Sequence, residues 1–238
     1  MNAGRVAIVT GGLTGIGAAS ARALEAAGCA VAVGSRSGGF SALDVADTAS
    51  VDAFVVKVRA QLGPPAILVN AAGLYRGRRI TDLGDEDWGE EIGVNLSGPF
   101  KMTRAVLPDM IAAGWGRIVN IASTAAHVGA NGYAAYCASK AGLVALSRVT
   151  AIEGAPHGVS CVSISPTWVD TPMLDRAAQR HAGAAGDAAV AKEALKDENP
   201  QGRLVQPEEI GALVAFCCSD AAPALTNEDI QVNAGASW

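Results

Sequence analysis

The sequence predicts one α/β domain over residues 1–238, in which a doubly wound, mainly parallel sheet of seven strands carries helices on both faces. Two patterns support this fold class. Short, almost continuously apolar runs alternate with longer Ala- and Leu-rich stretches, which is typical of parallel strands that are buried on both faces. In addition, the first apolar run leads directly into a glycine-rich turn, as it does in Rossmann-type folds.

Each predicted strand is a short segment rich in β-branched residues, whereas each predicted helix is a longer stretch of helix-favouring residues. The strands are expected near 5–10, 30–35, 40–45, 66–70, 116–122, 159–165 and 229–233. The helices are expected near 15–27, 49–62, 85–96, 98–113, 133–153 and 207–219. The Ala- and Gly-rich segment 171–199 shows no strand pattern, and we expect it to form a lid over a substrate site.

Composition and charge argue against several classes of function. The net charge is −5, and an acidic chain lacks the basic face that nucleic acids and anionic membranes attract. The longest unbroken apolar run, 212–218, has seven residues and is far shorter than a membrane span. The N-terminal residues do not show the pattern of a secretory signal. We therefore expect neither a nucleic-acid partner nor a membrane partner.

Cysteine usage indicates a reducing compartment. The five cysteines are odd in number, and no CxxC pair occurs. Neither a disulfide framework nor a metal site is indicated by this pattern. The expected location is the cytoplasm.

The glycine-rich turn TGGLTGIG places Gly11, Gly15 and Gly17 between the first strand and the first helix. Glycines at this position allow a tight turn and let backbone N–H groups approach a pyrophosphate, at which the positive end of the helix then points. This context favours dinucleotide binding over the alternative of a plain strand-to-helix turn.

Two tyrosines and a lysine stand close together in the stretch YAAYCASK. If the stretch is helical, Tyr133, Tyr136 and Lys140 share one face, because side chains three, four and seven residues apart stack along a helix. A free tyrosine has a pKa of about 10. A neighbouring ammonium group would favour the phenolate and lower that pKa. The spacing alone also permits a packing and solubility role for the lysine.

Five motifs occur in order along nearly the whole chain, and with them the sequence resembles the short-chain dehydrogenase/reductase family in its compact form. Ser123 precedes Tyr136 by 13 residues, as the serine of that family usually does. The motifs are TGGLTGIG, NAAG, VNLSG, IVNIAS and YCASK. The resemblance implies an oxidoreductase that moves a hydride between a nicotinamide cofactor and a ketone or secondary alcohol.

The resemblance also implies four catalytic residues: Asn95, Ser123, Tyr136 and Lys140. Tyr136 would give a proton to the carbonyl oxygen or take it back, and Ser123 would hydrogen-bond the same oxygen. Lys140 would lower the pKa of Tyr136, together with the positive nicotinamide of an oxidised cofactor, and would also bind the nicotinamide ribose. Asn95 would hold a water that links Lys140 to solvent.

Three residues near the catalytic motifs are not expected to be catalytic. Tyr133 does not match the catalytic tyrosine and is expected to pack. Cys137 is expected to fill space on the helix. His127 either lines the substrate pocket or has a surface or packing role.

The residues at the end of the second predicted strand favour NADP(H), while NAD(H) stays possible. Ser35 and Arg36 stand where a carboxylate would otherwise select NAD, and an arginine suits a 2′-phosphate. Thr14 occupies a place where the family often has a second basic residue, which weakens the preference. The cofactor-binding residues implied by the resemblance are Gly11, Leu13, Thr14, Gly15, Ile16, Gly17, Ser35, Arg36, Asp44, Val45, Asn70, Ala71, Ala72, Gly73, Tyr136, Lys140, Pro166, Thr167, Val169 and Thr171.

The connection after the second strand is unusually short. Only residues 36–39 separate it from the next strand-like run, although a full parallel crossover needs about a dozen residues. We therefore expect a truncated or displaced third strand and an adenine pocket that is open on one side.

Substrate identity is encoded only weakly. The candidate pocket residues are mostly apolar, which suits a ketone or a 3-oxoacyl group, and Arg76 is a possible partner for an anion. They are Leu74, Tyr75, Arg76, Trp168, Met173 and Leu174. Residues 199–216 resemble 3-oxoacyl-carrier-protein reductases, acetoacetyl-CoA reductases and related alcohol dehydrogenases.

The long helices of the predicted fold also indicate how the chain would assemble. Helices 98–113 and 133–153 are expected to pair across one twofold axis and the C-terminal segments across another, which gives a homotetramer. The alternatives to a reductase or dehydrogenase are a non-catalytic nucleotide sensor and an epimerase or dehydratase on the same fold.

Overall fold

The computed structural model of the chain describes residues 4–182 and 186–236. The strands are β1 (Val6–Thr10), β2 (Ala30–Ser35), β3 (Gly38–Gly39), β4 (Ser41–Ala42), β5 (Pro65–Asn70), β6 (Gly116–Ile121), β7 (Val159–Pro166) and β8 (Asp229–Val232). The α-helices are α1 (Gly15–Ala26), α2 (Thr48–Gln61), α3 (Asp85–Ile92), α4 (Gly98–Ala113), α5 (Ala134–Gly154), α6 (Pro172–Ala182), α7 (Ala188–Asp197) and α8 (Pro207–Cys217).

Seven of these strands form one sheet in the order β4-β2-β1-β5-β6-β7-β8, which confirms the predicted sheet. Every neighbouring pair in it is parallel. The chain builds outward from β1 to β4 and then returns to place β5 on the other side of β1. Because the strand order reverses between β1 and β5, a crevice opens at the carboxyl ends of these strands, where α/β folds bind ligands.

Helices cover both faces of the sheet, and each face has its own hydrophobic core. One core joins the alternate side chains of the central strands to Leu24 of α1 and to Ile210 and Val214 of α8. The other core joins the opposite side chains to Phe54 of α2 and Met102 of α4. The central strands are largely apolar because both of their faces are buried.

The third sheet strand is truncated, as the short connection predicts. β4 pairs with β2 through only two residue pairs, Gly34 with Ser41 and Ser35 with Ala42. The chain reaches β4 through Gly38 and Gly39, both at positive φ. A Cβ atom on Gly39 would lie 2.5 Å from the carbonyl oxygen of Val33, so the turn requires glycine there.

Two segments differ from the predicted elements. The predicted helix 85–96 ends at Ile92 and continues as a π-helical turn, Gly93–Ser97, which leads directly into α4. Segment 171–199 contains two helices, α6 and α7, that were not predicted as helices.

Helices α6 and α7 share a small hydrophobic cluster that is separate from both cores of the sheet. It consists of Leu174, Leu195 and Leu204, with Trp168 packed against them. The ammonium of Lys192 also joins the two helices, because it lies 2.7 Å from a carboxylate oxygen of Asp170 and 2.8 Å from one of Asp175.

Within the described ranges, no helix combines the length and the apolar character needed to cross a bilayer. The same residues contain no group of three or more His, Cys, Asp or Glu side chains arranged to hold a metal ion.

Candidate active site

A cavity of about 800 Å³ lies at the carboxyl edge of the sheet, where β1, β5, β6 and β7 end. The glycine turn, the segment after β6 and the start of α5 form its walls, and α6 and α7 lie beside it. Side chains from segments that are far apart in sequence therefore meet at this one edge. Ser123, Tyr136 and Lys140 all line the cavity.

The glycine turn brings the N-terminus of α1 to this cavity. Gly11 has a φ of 66°, and a Cβ atom on Gly17 would lie 2.4 Å from the carbonyl oxygen of Gly11, so the turn closes on itself only with glycine. The side chain of Thr14 makes no capping hydrogen bond at the start of α1. The turn thus presents backbone N–H groups and the positive end of a 12-residue helix, a donor set that fits the diphosphate of a dinucleotide.

Ser123 and Tyr136 lie close enough for their side chains to interact by hydrogen bonding. Ser123 follows β6, and its Oγ also accepts from the backbone N–H of Ala125 at 3.2 Å, which holds the hydroxyl at the start of a 3-10 turn. Burial disfavours the phenolate and raises the pKa of Tyr136 to about 12, although the hydrogen bond from Ser123 acts in the opposite direction.

Lys140 lies one helical turn after Tyr136 and is 4% exposed. Its Nζ donates to the carbonyl oxygen of Ile121 at 2.8 Å and lies 5.6 Å from the centroid of the Tyr136 ring. Burial lowers the pKa of Lys140 to about 8. The predicted lowering of the Tyr136 pKa is not found in the chain alone, because burial of the phenol is the largest influence on that pKa and raises it.

Tyr133 precedes the first residue of α5, so the predicted common helix face does not include it. Its ring stacks on that of Tyr75 with centroids 4.5 Å apart, and both rings stand edge-on to Tyr136. Burial is also the main reason why the pKa of Tyr133 lies above its ordinary value. This packing against two aromatic rings agrees with the expected role, and the residue also lines the cavity.

Asn95 lies in the π-helical turn and is fully buried, behind the cavity wall. Its amide donates to the carbonyl of Leu74 and to Oγ of Ser139, and its Oδ1 accepts from the N–H of Leu74. The side chain therefore fastens the loop after β5 to α5. The predicted water between Asn95 and Lys140 stays a prediction.

Asn70 also lies behind the wall, although it was predicted to bind cofactor. Its Nδ2 donates to Oδ1 of Asn120 at 2.7 Å, and this hydrogen bond joins the ends of β5 and β6. The carboxamide thus supports the edge of the sheet from which the neighbouring Ala71, Ala72 and Gly73 reach the cavity.

A second cavity, of about 460 Å³, continues from the glycine turn toward the end of β2. The predicted residues Leu13, Ser35, Arg36, Asp44 and Val45 all line it. The side chain of Arg36 is 67% exposed and lies 3.9 Å from a carboxylate oxygen of Glu90. The short β4 borders this part of the molecule at the edge of the sheet, where the sequence predicts an open adenine pocket.

The remaining predicted cofactor residues lie in the larger cavity. They are Ile16, Pro166, Thr167, Val169 and Thr171. A Cβ atom on Gly15 would lie 3.0 Å from Cγ2 of Thr171, so the segment that leads into α6 passes directly over the glycine turn.

The predicted substrate-pocket residues divide into three groups. Tyr75, Trp168, Met173 and Leu174 line the larger cavity, and Leu74 lines the second. Arg76 lines neither, because its guanidinium pairs with Glu90 and Asp87. The expectation that Arg76 could bind an anion in the pocket is therefore wrong.

Cys137 and His127 line neither cavity. For His127, Nε2 lies 2.7 Å from a carboxylate oxygen of Asp229, which favours the packing role over a place in the pocket. Asp229 also accepts from the hydroxyls of Ser163 and Ser165, so this polar group ties the segment after Ser123 to β7 and β8.

Two charged residues of the walls were not predicted. Glu198 lines the larger cavity, and its carboxylate accepts from the indole N–H of Trp168 at 2.7 Å. Arg176 of α6 lines both cavities. Neither residue belongs to a motif, and only the folded position of segment 171–199 brings them to the site.

The parallel sheet, its strand reversal and the glycine turn at the N-terminus of α1 define the class of dinucleotide-binding α/β proteins. Residues 11–237 match the family model described as enoyl-(acyl carrier protein) reductase. The chain belongs to the short-chain dehydrogenase/reductase family and is an oxidoreductase.

Similar proteins match nearly the whole chain. A D-threitol dehydrogenase of Mycolicibacterium smegmatis is 41% identical over 250 residues, which span 98% of this chain and 92% of that protein. An acetoacetyl-CoA reductase of Rhizobium meliloti is 39% identical over 244 residues, which span 97% and 98%. The crystal structure of a variant of actinorhodin polyketide ketoreductase with NADPH is similar at a TM-score of 0.92, with 33% identity and 97% and 96% coverage.

Proposed function

We propose that the protein is a carbonyl reductase that prefers NADPH and has Tyr136 as its general acid and base. The observation that carries this proposal is the meeting of Ser123, Tyr136 and Lys140 in one cavity, with the hydroxyl of Ser123 near enough to the phenol of Tyr136 to influence its pKa. A bound nicotinamide cofactor supplies the hydride for reduction or accepts it for oxidation.

The three side chains have distinct roles in this proposal. The phenol of Tyr136 donates its proton to the substrate oxygen, and the hydroxyl of Ser123 donates a hydrogen bond to the same oxygen. The ammonium group of Lys140 stabilises the phenolate that remains after proton transfer. Asn95 holds the loop and the helix in register, through Leu74 and Ser139.

The walls of the second cavity support the preference for NADPH. Arg36 follows β2, which carries no acidic side chain. Its largely exposed guanidinium can meet a 2′-phosphate in place of its 3.9 Å contact with Glu90. The similar ketoreductase structure contains NADPH, which agrees with this preference. We expect NADH to support a slower reaction.

Segment 171–199 is proposed as the lid of the substrate site. Met173, Leu174, Ala177, Ala194 and Leu195 present small and apolar side chains to the cavity. Such walls suit the carbon chain of a ketone or of a 3-oxoacyl thioester. The similarity to an acetoacetyl-CoA reductase supports this substrate class.

A second candidate, oxidation of a polyol at a secondary alcohol, is favoured by Glu198. Its carboxylate lies in the cavity wall, fixed by Trp168, and carboxylates accept hydrogen bonds from hydroxyl groups. The similarity to a D-threitol dehydrogenase agrees with this candidate.

A panel assay tests both candidates. Ketones, 3-oxoacyl thioesters and polyols are incubated with NADPH, NADH or their oxidised forms, and the cofactor absorbance is followed. Turnover of ketones or thioesters with NADPH is expected. Turnover of polyols alone would favour the second candidate, and binding of cofactor without any turnover would indicate a non-catalytic nucleotide sensor.

The proposed assembly is a homotetramer, and the proposed location is the cytoplasm. Exposed apolar side chains of α4 and α5, namely Phe100, Ile111, Val149 and Ile152, support a pairing of these helices between subunits. Light scattering in solution is expected to give the mass of four chains, and a monomeric mass would contradict this assembly.

A further inference from the structure

Arg176 stands where the two cavities meet. Five residues line both of them: Gly11, Thr14, Ala72, Gly73 and Arg176. The first two belong to the glycine turn, and the next two follow β5 beside it. Arg176 alone among the five comes from α6, on the other side of the cleft. It is also the one charged residue of that shared wall.

The charge of Arg176 is not neutralised within the described part of the chain, where its exposed guanidinium has no ion pair. Its neighbour Asp175 is engaged elsewhere, because the ammonium of Lys192 lies 2.8 Å from it. The same ammonium binds Asp170 at 2.7 Å, so α6 and α7 are joined without the use of Arg176.

Three cationic side chains line the two connected cavities, among the residues described. Arg36 lies at the β2 end, Lys140 lies beside Tyr136, and Arg176 lies between them at the glycine turn. The turn itself contributes no basic side chain, because its sequence is TGGLTGIG. A dinucleotide with a 2′-phosphate carries its negative charges at two places, the 2′-phosphate and the diphosphate. Arg36 is positioned for the first of these groups, and Arg176 for the second.

Thr171 explains how α6 reaches this place. It lies over the glycine turn, within 3.0 Å of where a Cβ atom on Gly15 would be. Arg176 follows five residues later, within the first half of α6. The start of the helix is therefore held against the turn that presents backbone N–H groups to a diphosphate.

We propose that Arg176 binds the diphosphate of the cofactor from the α6 side, opposite the glycine turn, and so couples cofactor binding to the position of α6 over the site. This inference rests on the proposed nicotinamide-dependent function. It adds a charged contact to a turn that otherwise offers only uncharged donors, the backbone N–H groups and the hydroxyl of Thr14.

The test measures binding of nucleotide fragments by calorimetry, without turnover. ADP contains the diphosphate and lacks the 2′-phosphate, whereas adenosine 2′-monophosphate has the reverse. Arg176→Ala should weaken ADP and NADPH about five- to tenfold, the scale of one charge-assisted hydrogen bond at an exposed site. It should leave adenosine 2′-monophosphate within about twofold of the wild-type affinity. Arg36→Ala should give the opposite pattern.

Arg180→Ala is the matched control. Arg180 is the other arginine of α6. It donates to the carbonyl of Tyr75 and lines neither cavity. Its removal changes the helix charge equally and should leave ADP binding unchanged. Arg176→Lys keeps the charge and should retain most of the affinity. Thermal unfolding checks that each variant is folded.

The possible results are distinguishable. Unchanged ADP binding by folded Arg176→Ala, or an equal loss in Arg180→Ala, would overturn the role of Arg176 and leave the proposed function intact. A selective loss of adenosine 2′-monophosphate would assign Arg176 to the other phosphate and overturn the proposal. Failure of the wild-type protein to bind ADP or NADPH would overturn both the proposal and the proposed function.

Discussion

The ammonium of Lys140 lies 5.6 Å from the centroid of the Tyr136 ring, while its hydrogen bond goes to the backbone carbonyl of Ile121. The lysine is thus fixed by the end of β6 and acts on the tyrosine through space. A charge held in this way keeps its distance from the phenol whichever protonation state the phenol adopts. In the proposed proton transfer it can therefore favour the phenolate electrostatically, while the phenol hydroxyl stays free to donate its proton to the substrate.

Tyr136→Phe should abolish carbonyl reduction and leave NADPH affinity nearly unchanged. The ring and its packing survive, and only the transferable proton is lost, so turnover should fall by at least about a hundredfold. Steady-state kinetics and NADPH titration measure the two effects.

Tyr133→Phe is the matched control for that substitution, because Tyr133 stands edge-on to Tyr136 in the same cavity wall. It should retain most of the turnover. If Tyr133→Phe were the more damaging variant, the assignment of Tyr136 as the acid would be wrong.

Lys140→Met should raise the stability of the free protein at neutral pH. The folded pKa of Lys140 is about 8, below its ordinary 10.5, because burial disfavours the charged form. Below pH 8 the fold therefore contains an unfavourable buried charge. Removal of this charge should raise the free energy of unfolding by about 2 kcal/mol. The pKa difference corresponds to about 3 kcal/mol, and the lost hydrogen bond takes back about 1 kcal/mol. The melting temperature should rise by about 4–8 °C.

The pH dependence of this gain has a defined sign. Between the folded and the ordinary pKa of Lys140, the unfolded chain binds more protons than the folded one, so the wild type gains stability as pH rises through that window. The advantage of Lys140→Met should shrink over the same interval in thermal melts. An advantage that is constant or grows with pH would contradict the buried-charge explanation.

Arg36→Asp should reverse the cofactor preference. The wild type should show a kcat/KM about tenfold higher with NADPH than with NADH. This factor is at the lower end of the range for a charge-assisted hydrogen bond, because Arg36 is largely exposed to solvent. A carboxylate at this place repels a 2′-phosphate and accepts from ribose hydroxyls. Kinetics with both cofactors measure the change.

Arg79→Asp makes the same change of charge at an exposed residue that lines neither cavity. It should leave the preference as it is. Equal use of both cofactors by the wild type would remove Arg36 from the site, as would a preference that Arg36→Asp does not alter.

Gly39→Ala should destabilise the fold more than Gly38→Ala. Both residues have positive φ, which costs an alanine about 1–3 kcal/mol. Only at Gly39 would the new Cβ meet the carbonyl oxygen of Val33, at 2.5 Å, whereas nothing lies within 4 Å at Gly38. The additional loss should be about 1–3 kcal/mol in denaturant unfolding. Equal losses for the two variants would show that the turn relaxes around the added methyl group.

The sheet could be predicted because its central strands are buried on both faces, so each one appears in the sequence as an apolar run. The truncated β4 was also predictable, since the four residues 36–39 cannot form a crossover. The meeting of Ser123 with Tyr136 and Lys140 was predictable from two motifs, IVNIAS at the end of β6 and YCASK on α5.

The parts that were missed depend on contacts between distant segments. Helices α6 and α7 are rich in Ala and have no long apolar run, and their packing depends on Trp168 and Leu204 outside the helices. The supporting role of Asn70 depends on Asn120, which stands on the next strand of the sheet but 50 residues away in the chain. The high pKa of Tyr136 results from burial, which the spacing of charged residues does not reveal.

The small hydrophobic cluster of Leu174, Leu195 and Leu204 has a consequence for how this enzyme could diversify. Because the cluster is separate from the two cores of the sheet, the residues around it can be replaced together without repacking β6, which Ser123 follows, or α5, which carries Lys140. With the lid proposed above, substrate range and catalytic chemistry would be encoded in different parts of the chain. Grafting of the α6–α7 segment from a relative, together with Trp168 and Leu204, is the natural unit for retargeting the enzyme to a new substrate.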